Sequence, residues 1–128
     1  MKLLLDTHAF LWIVADDARL SQAARNAFSG PQNEVWLSVA SIWEIVVKAA
    51  RGKLPFPQPA APYLREQIRQ TRVEVLPISL SHVFRLESLP MRHRDPFDRI
   101  LVAQALEERI PLVSRDRTLS GYGVEILW

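Results

Sequence analysis

The 128 residues include 48% hydrophobic and 23% charged side chains, carry a formal net charge of +2 and contain no cysteine. This is the composition of an ordinary globular chain of one-domain size. It excludes a disulfide scaffold, thiolate-held zinc, iron–sulfur clusters and a cysteine nucleophile. A charge of +2 also excludes a polybasic coat for nucleic acid, so any such binding must come from local basic surface.

The chain opens on MKLLLDTHAFLWIVADD. One Lys before an apolar run suggests a leader, but Asp6 and His8 interrupt the run and no small-residue cleavage site follows. No apolar stretch approaches the ~20 residues of a membrane span. The expectation is a single cytoplasmic domain over residues 1–128, without a membrane partner.

In chain order, Lys2 to Leu5 reads as a short buried strand ending at Asp6. Thr7 is placed to cap a helix from His8 to Ala15, and Ser21 stands near the start of a second, Leu20 to Ser29, stopped by Gly30-Pro31. Glu34 to Leu37 reads as a strand, and Ser38 as the N-cap of a long helix Val39–Ala50 closed by Gly52. Prolines at 55, 57 and 59 force an extended connector. Ala61 to Gln70 is helical in pattern, and Val73 to Ile78 is strand-like up to Pro77. Ser79 or Ser81 caps a helix to about Leu86. Asp95 at N-cap, Pro96 at N1 and Asp98 at N3 open another that runs to about Arg109. Leu112 to Ser114 and Val124 to Leu127 are the last strands. Strands alternating with helices predict an α/β fold with a helix-covered parallel sheet. Ligands of such sheets lie beyond the carboxyl ends of the strands.

Four acids stand out. Asp6 and Asp116 fall just past predicted strand ends and belong on one rim, though either alone also suits a cap or turn. Glu44 lies among Ile42, Trp43, Ile45, Val46 and Val47, where a lone carboxylate would face packed protein unless paired, hydrogen-bonded or metal-bound. Asp98 precedes a nearly apolar helical run, and Asp95 already supplies its cap. Clustered carboxylates repel one another unless a cation neutralises them. Oxygen donors without cysteine or paired histidines suit Mg²⁺ or Mn²⁺, and such a cation serves phosphodiester hydrolysis.

The chain resembles PIN domains, most closely the VapC-type toxins of bacterial toxin–antitoxin pairs. The resemblance spans essentially the whole chain. It rests on Leu4-Leu5-Asp6-Thr7-His8, on the stretch from Ser38 to Ile45, on Arg94-Asp95-Pro96-Phe97-Asp98 with the helix to Ala105, and on Leu112-Val113-Ser114-Arg115-Asp116. It implies a three-layer α/β/α fold with a central, mainly parallel sheet, and a Mg²⁺- or Mn²⁺-dependent endoribonuclease. The family's four acids fall on Asp6, Glu44, Asp98 and Asp116. Thr7 and Ser114 match its supporting hydroxyls, Ser114 standing where Thr is common. Asp95 is read first as a cap, with help to metal-bound water as the alternative. The resemblance further implies an RNA substrate, a small antitoxin partner and a homodimer. The helix around Leu11-Trp12 and the segment Leu54–Pro62 are candidate partner surfaces.

Lys48, Arg51, Lys53, Arg92, Arg94 and Arg99 are candidate RNA contacts, each alone also compatible with a solvated charge or helix-end cap. Arg99 is alternatively an ion-pair partner of Asp98. His8, His82 and His93 lack metal-ligand spacing and read as structural or surface residues. Trp12, Trp36 and Trp43 read as core or interface. Two other readings stay open: a PIN-like binding module without activity, and a phosphoryl-transfer or receiver-type domain. A receiver wants an Asp after the third strand, where Pro77-Ile78-Ser79 stands. A haloacid-dehalogenase-type phosphatase wants Asp at position 8, which is His.

Overall fold

The computed structural model describes all residues from Met1 to Trp128. Five strands, β1 (Lys2–Leu5), β2 (Glu34–Ser38), β3 (Glu74–Leu76), β4 (Leu112–Val113) and β5 (Ile126–Leu127), form one wholly parallel sheet in the order β3-β2-β1-β4-β5. The helices are α1 (Thr7–Val14), α2 (Gln22–Ser29), α3 (Val39–Ala50), α4 (Ala60–Thr71), α5 (Leu80–Ser88) and α6 (Pro96–Glu108).

The pleat divides the core in two. Leu3 and Leu5 of β1, with Val35 and Leu37 of β2, face Phe10, Ile45 and Leu64 of the α1–α4 side. Leu4, with the half-buried Trp36, faces Leu101, Val102 and Leu119 on the α5–α6 side. Alternate residues of a strand serve opposite faces, so one apolar run seeds both layers. The result is the expected three-layer α/β/α sandwich.

Strand order positions the site. From β1 the chain moves outward to β2 and β3, then crosses back so that β4 joins the other side of β1. The crevice at such a reversal opens beyond the carboxyl ends of β1 and β4, and the Asp6 N–H donates to Val113 O at 3.0 Å across it. Receiver domains use the order 2-1-3-4-5, so this topology removes the receiver reading.

Several local expectations are corrected. Asp6, not Thr7, caps α1: its carboxylate accepts from the Ala9 N–H at 2.7 Å. The strand expected over Val73–Ile78 shrinks to Glu74–Leu76 at the sheet edge, and that expected over Val124–Leu127 shrinks to its last pair before the end. A 3₁₀ turn, Arg117–Tyr122, capped by Asp116, was not foreseen. Trp43 is 56% exposed and meets Phe97 edge-on at 4.9 Å, so it is not core. Ser79 closes a reciprocal cap with His82, as a helix start of this kind requires.

Candidate active site

Each acid is delivered by an element boundary. Asp6 leaves β1 and starts α1. Asp116 follows β4 and starts the 3₁₀ turn. Asp98 sits in the first turn of α6. Glu44 is the exception: it projects from the middle of α3, which Ser38 starts at the end of β2.

The first half of the site is buried and tightly held. Asp6 and Glu44 are only 8% and 4% exposed. Thr7 donates to Glu44 Oε1 at 2.6 Å and lies 3.0 Å from the Ser41 hydroxyl. Glu44 Oε2 is paired with Lys48 one helical turn on. Burial pushes the Asp6 carboxyl above its ordinary value, opposed by hydrogen bonds from Ser114 and the Ala9 N–H and by the charge of His8, and aided by the charge of Glu44. Lys48 is held above its ordinary value by its hydrogen bond to Glu44.

The second half is more open. Burial, then the charge of Asp95, pushes Asp98 up to about 6, with Asp6 and Glu44 adding to the rise and His93 opposing it. Burial also acts on Asp116, but hydrogen bonds from the Thr118 hydroxyl and N–H and from His93 outweigh it, leaving this carboxyl below its usual value. His93 Nε2 stands 3.3 Å from Asp116 Oδ2 and 3.7 Å from Asp98 Oδ2. Ser114 is fully buried and its hydroxyl accepts from the Asp116 N–H at 3.0 Å.

The four acids are neighbours: Asp98 feels the charges of Asp6 and Glu44, Asp6 feels that of Glu44, Asp98 and Asp116 flank His93, and Asp6 and Asp116 line one cleft of about 260 Å³. The donor set fits a hard divalent cation. It is made of carboxylates, two of which burial and neighbouring acids make reluctant to ionise, and an added positive charge would offset that penalty. Ligand atoms of His93, Asp98 and Asp116 lie within 4.8 Å of one another.

The supporting and basic residues divide. Thr7 and Ser114 sit inside the cluster. Asp95 caps α6, as expected, accepting from the Phe97 N–H at 2.9 Å and the Asp98 N–H at 3.4 Å, and its charge acts on the Asp98 carboxyl. Lys48 is committed to Glu44. Lys53 lines a cleft of about 230 Å³ with Thr7, Glu44 and Lys48, while Arg51 is exposed at the far end of α3 and lines neither cleft. Arg94 is exposed just before α6, and Arg92 lies over Gly121. Arg99 is not the ion-pair partner of Asp98. Its guanidinium donates to Pro90 O at 2.9 Å and lies within 3.5 Å of Leu86 O, Leu89 O and the Tyr122 hydroxyl, so it ties the loop before α6 to its surroundings and contacts no acid. Two further residues join the site. His93, read from the sequence as structural or surface, stands with Asp98 and Asp116, and its only sequence signal is its place two residues before a helix cap. Arg115, beside Asp116, lines the Asp6 cleft and lies 5.9 Å from the Trp12 ring.

The PIN domain family model matches residues 3–124, and the chain belongs to this family. Ribonuclease VapC22 of Mycobacterium tuberculosis is 30% identical over 121 residues, 93% of this chain and 90% of that protein. Ribonuclease VapC16 of the same organism is 41% identical over 51 residues, 40% of this chain and 35% of that one. Among solved structures, VapBC2 from Rickettsia felis, bound to a DNA fragment from its promoter, superposes with a TM-score of 0.74 at 13% identity, covering 98% of this chain and 97% of that one. FitAcB from Neisseria gonorrhoeae gives 0.64 at 16% identity, over 97% and 95%. At such identities these structures bear on the fold alone.

Proposed function

We propose that this PIN domain, taken as one unit over residues 1–128, is a Mg²⁺- or Mn²⁺-dependent endoribonuclease and the toxin of a type II toxin–antitoxin pair. The observation that carries the reading is the convergence of Asp6, Glu44, Asp98 and Asp116 on the crevice between β1 and β4, with Asp6 and Asp98 both reluctant to ionise. In this reading Asp6, Asp98 and Asp116 hold the cation. Glu44, whose two oxygens are engaged by Thr7 and Lys48, would assist as a further ligand, direct or through water. Such a cation makes water more acidic and places positive charge against a phosphate.

The chain's own residues do the rest. Ser114 steadies Asp6 and, through the Asp116 N–H, fixes the carboxylate beside it. Thr7 and Lys48 lock Glu44 in place. Lys53, Arg94 and Arg115 offset the acidic charge around the crevice and draw in the phosphate chain of RNA, an attraction that salt will weaken. RNA as substrate makes the cytoplasm the place of action, and no helix of the chain is long and apolar enough to cross a membrane.

The antitoxin has a matching surface. Leu11 and Trp12 of α1 meet Leu54, Pro55, Phe56 and Tyr63 around a cleft of about 370 Å³, uniting the two segments singled out in the sequence. Toxin homodimers fit the exposed apolar side chains Trp43, Val46 and Val75. The test is incubation of purified, partner-free protein with a mixed RNA pool. Cleavage in Mg²⁺ or Mn²⁺ that stops with EDTA supports the nuclease. Equal cleavage with and without EDTA counts against it.

A further inference from the structure

We propose that His93 is a substrate-positioning residue whose Nε2–H holds a phosphate oxygen of bound RNA, and that it is not a further metal ligand. The inference rests on the nuclease reading of the same crevice. His93 stands where a ligand could stand, with Nε2 3.3 Å from Asp116 Oδ2 and 3.7 Å from Asp98 Oδ2. Distance alone therefore suggests a third donor to a cation. The hydrogen bonds of the ring say otherwise.

Two independent contacts assign the proton. The Asp95 N–H points at His93 Nδ1, 3.4 Å away, so Nδ1 accepts. On the other side, Nε2 faces the carboxylate of Asp116, with Oδ2 3.3 Å away. An ionised carboxylate only accepts, so Nε2 carries hydrogen. A neutral ring bound to metal through Nε2 would need its proton on Nδ1, the position at which the Asp95 N–H is already aimed. Nε2 is thus the donor nitrogen of a neutral ring.

The donor also has a fixed aim. Asp95 is locked as the cap of α6 by Phe97 N–H, and Arg99 ties the carbonyls of Leu89 and Pro90 to the same helix. The loop carrying His93 is therefore held at both ends. The side chain is 26% exposed, enough for a ligand to reach it. Without a cation its N–H is held by Asp116, with Asp98 3.7 Å away. With a cation drawing on those carboxylates, the acceptor left for an N–H at this place is an oxygen of the phosphate that the cation attracts. The donor adds a directed hydrogen bond where the acids can supply none.

Two variants separate the outcomes. His93→Ala removes the donor, and His93→Gln replaces it with an amide N–H of similar reach. Mn²⁺ binding is measured by calorimetry. Binding of a labelled mixed-sequence RNA is measured by fluorescence anisotropy with Ca²⁺, with gels confirming that the RNA stays intact. His93→Ala is expected to bind Mn²⁺ within about twofold of the parent and RNA about tenfold more weakly, the size of one charge-assisted hydrogen bond. His93→Gln is expected to recover much of the RNA binding. Loss of Mn²⁺ affinity by tenfold or more in both variants would show a ligand and overturn the proposal. Unchanged RNA binding in His93→Ala would overturn it too. If the parent protein itself binds neither Mn²⁺ nor RNA, the nuclease reading falls and takes this inference with it.

Discussion

The two halves of the crevice are built in opposite ways. Asp6 and Glu44 are buried, and every oxygen that the structure partners is held by a neighbour: Ala9 N–H and Ser114 on Asp6, Thr7 and Lys48 on Glu44. Asp98 and Asp116 keep 28% and 40% of their side chains exposed and share a single histidine. The buried pair is anchored to the sheet and to α3, whereas the open pair sits on the first turn of α6 and on a 3₁₀ turn. A rigid wall facing an accessible one is what a phosphate chain requires: one side fixes charge in place, and the other admits the substrate.

That contrast can be broken first at the acids. Asp6→Asn keeps an N-cap side chain for α1, since Asn caps as well as Asp. It is expected to lose RNA cleavage by at least about a hundredfold with an unchanged far-UV circular dichroism spectrum. Asp98→Asn should lose cleavage to a similar extent. Unlike a core lesion, it should also raise the melting temperature of the metal-free protein at neutral pH by a few degrees, because it removes a charge that the fold disfavours. A fall in melting temperature would contradict the assigned cost of burying this charge beside Asp95.

The next effect is on the buried wall. Thr7→Val leaves Glu44 Oε1 without its donor and should cost about 1–3 kcal/mol in urea unfolding. The equivalent loss on the open side, Thr118→Val, removes a donor to Asp116 that water can replace and should cost much less.

A pH series sharpens the same comparison. Asp98 titrates near its ordinary 3.8 in the unfolded chain and near about 6 in the folded one. Between these values the folded chain holds more protons, so stability in EDTA should fall as pH rises through that window and level off above it. The difference between parent and Asp98→Asn isolates this contribution, and saturating Mg²⁺ should flatten it. A difference that grows in the opposite direction would contradict the raised value. The smallest effect concerns the cations: Lys53→Ala should weaken RNA binding severalfold and reduce its salt dependence, while Arg51→Ala should leave both unchanged.

Much of this was legible in the sequence. Ser38, Asp95-Pro96 and the run Leu3-Leu4-Leu5-Asp6 announce element starts and ends through local chemistry, and local chemistry survives folding. The acids were legible for a related reason. A carboxylate inside an apolar helix, or just past a buried strand, conflicts with its surroundings and so signals another purpose. What was not legible depends on contacts distant in the chain. His93 meets Asp116 across 23 positions, and Arg99 reaches Pro90 and Tyr122. Neither follows from any periodicity. For Trp43 the sequence leaves core and interface open, because an apolar run does not say which of its faces lies inside, and its exposure removes the core. The strand expected over Val73–Ile78 lost its ends because β3 lies at the edge, paired on one side only.

The central claim is that these carboxylates form one cation site. Calorimetric titration of Mn²⁺ into the metal-free parent, Asp6→Asn and Asp98→Asn tests it most directly. Saturable binding by the parent and a loss of at least about tenfold in affinity in each variant are expected. Variants that bind Mn²⁺ as the parent does would place the cation elsewhere and contradict the account.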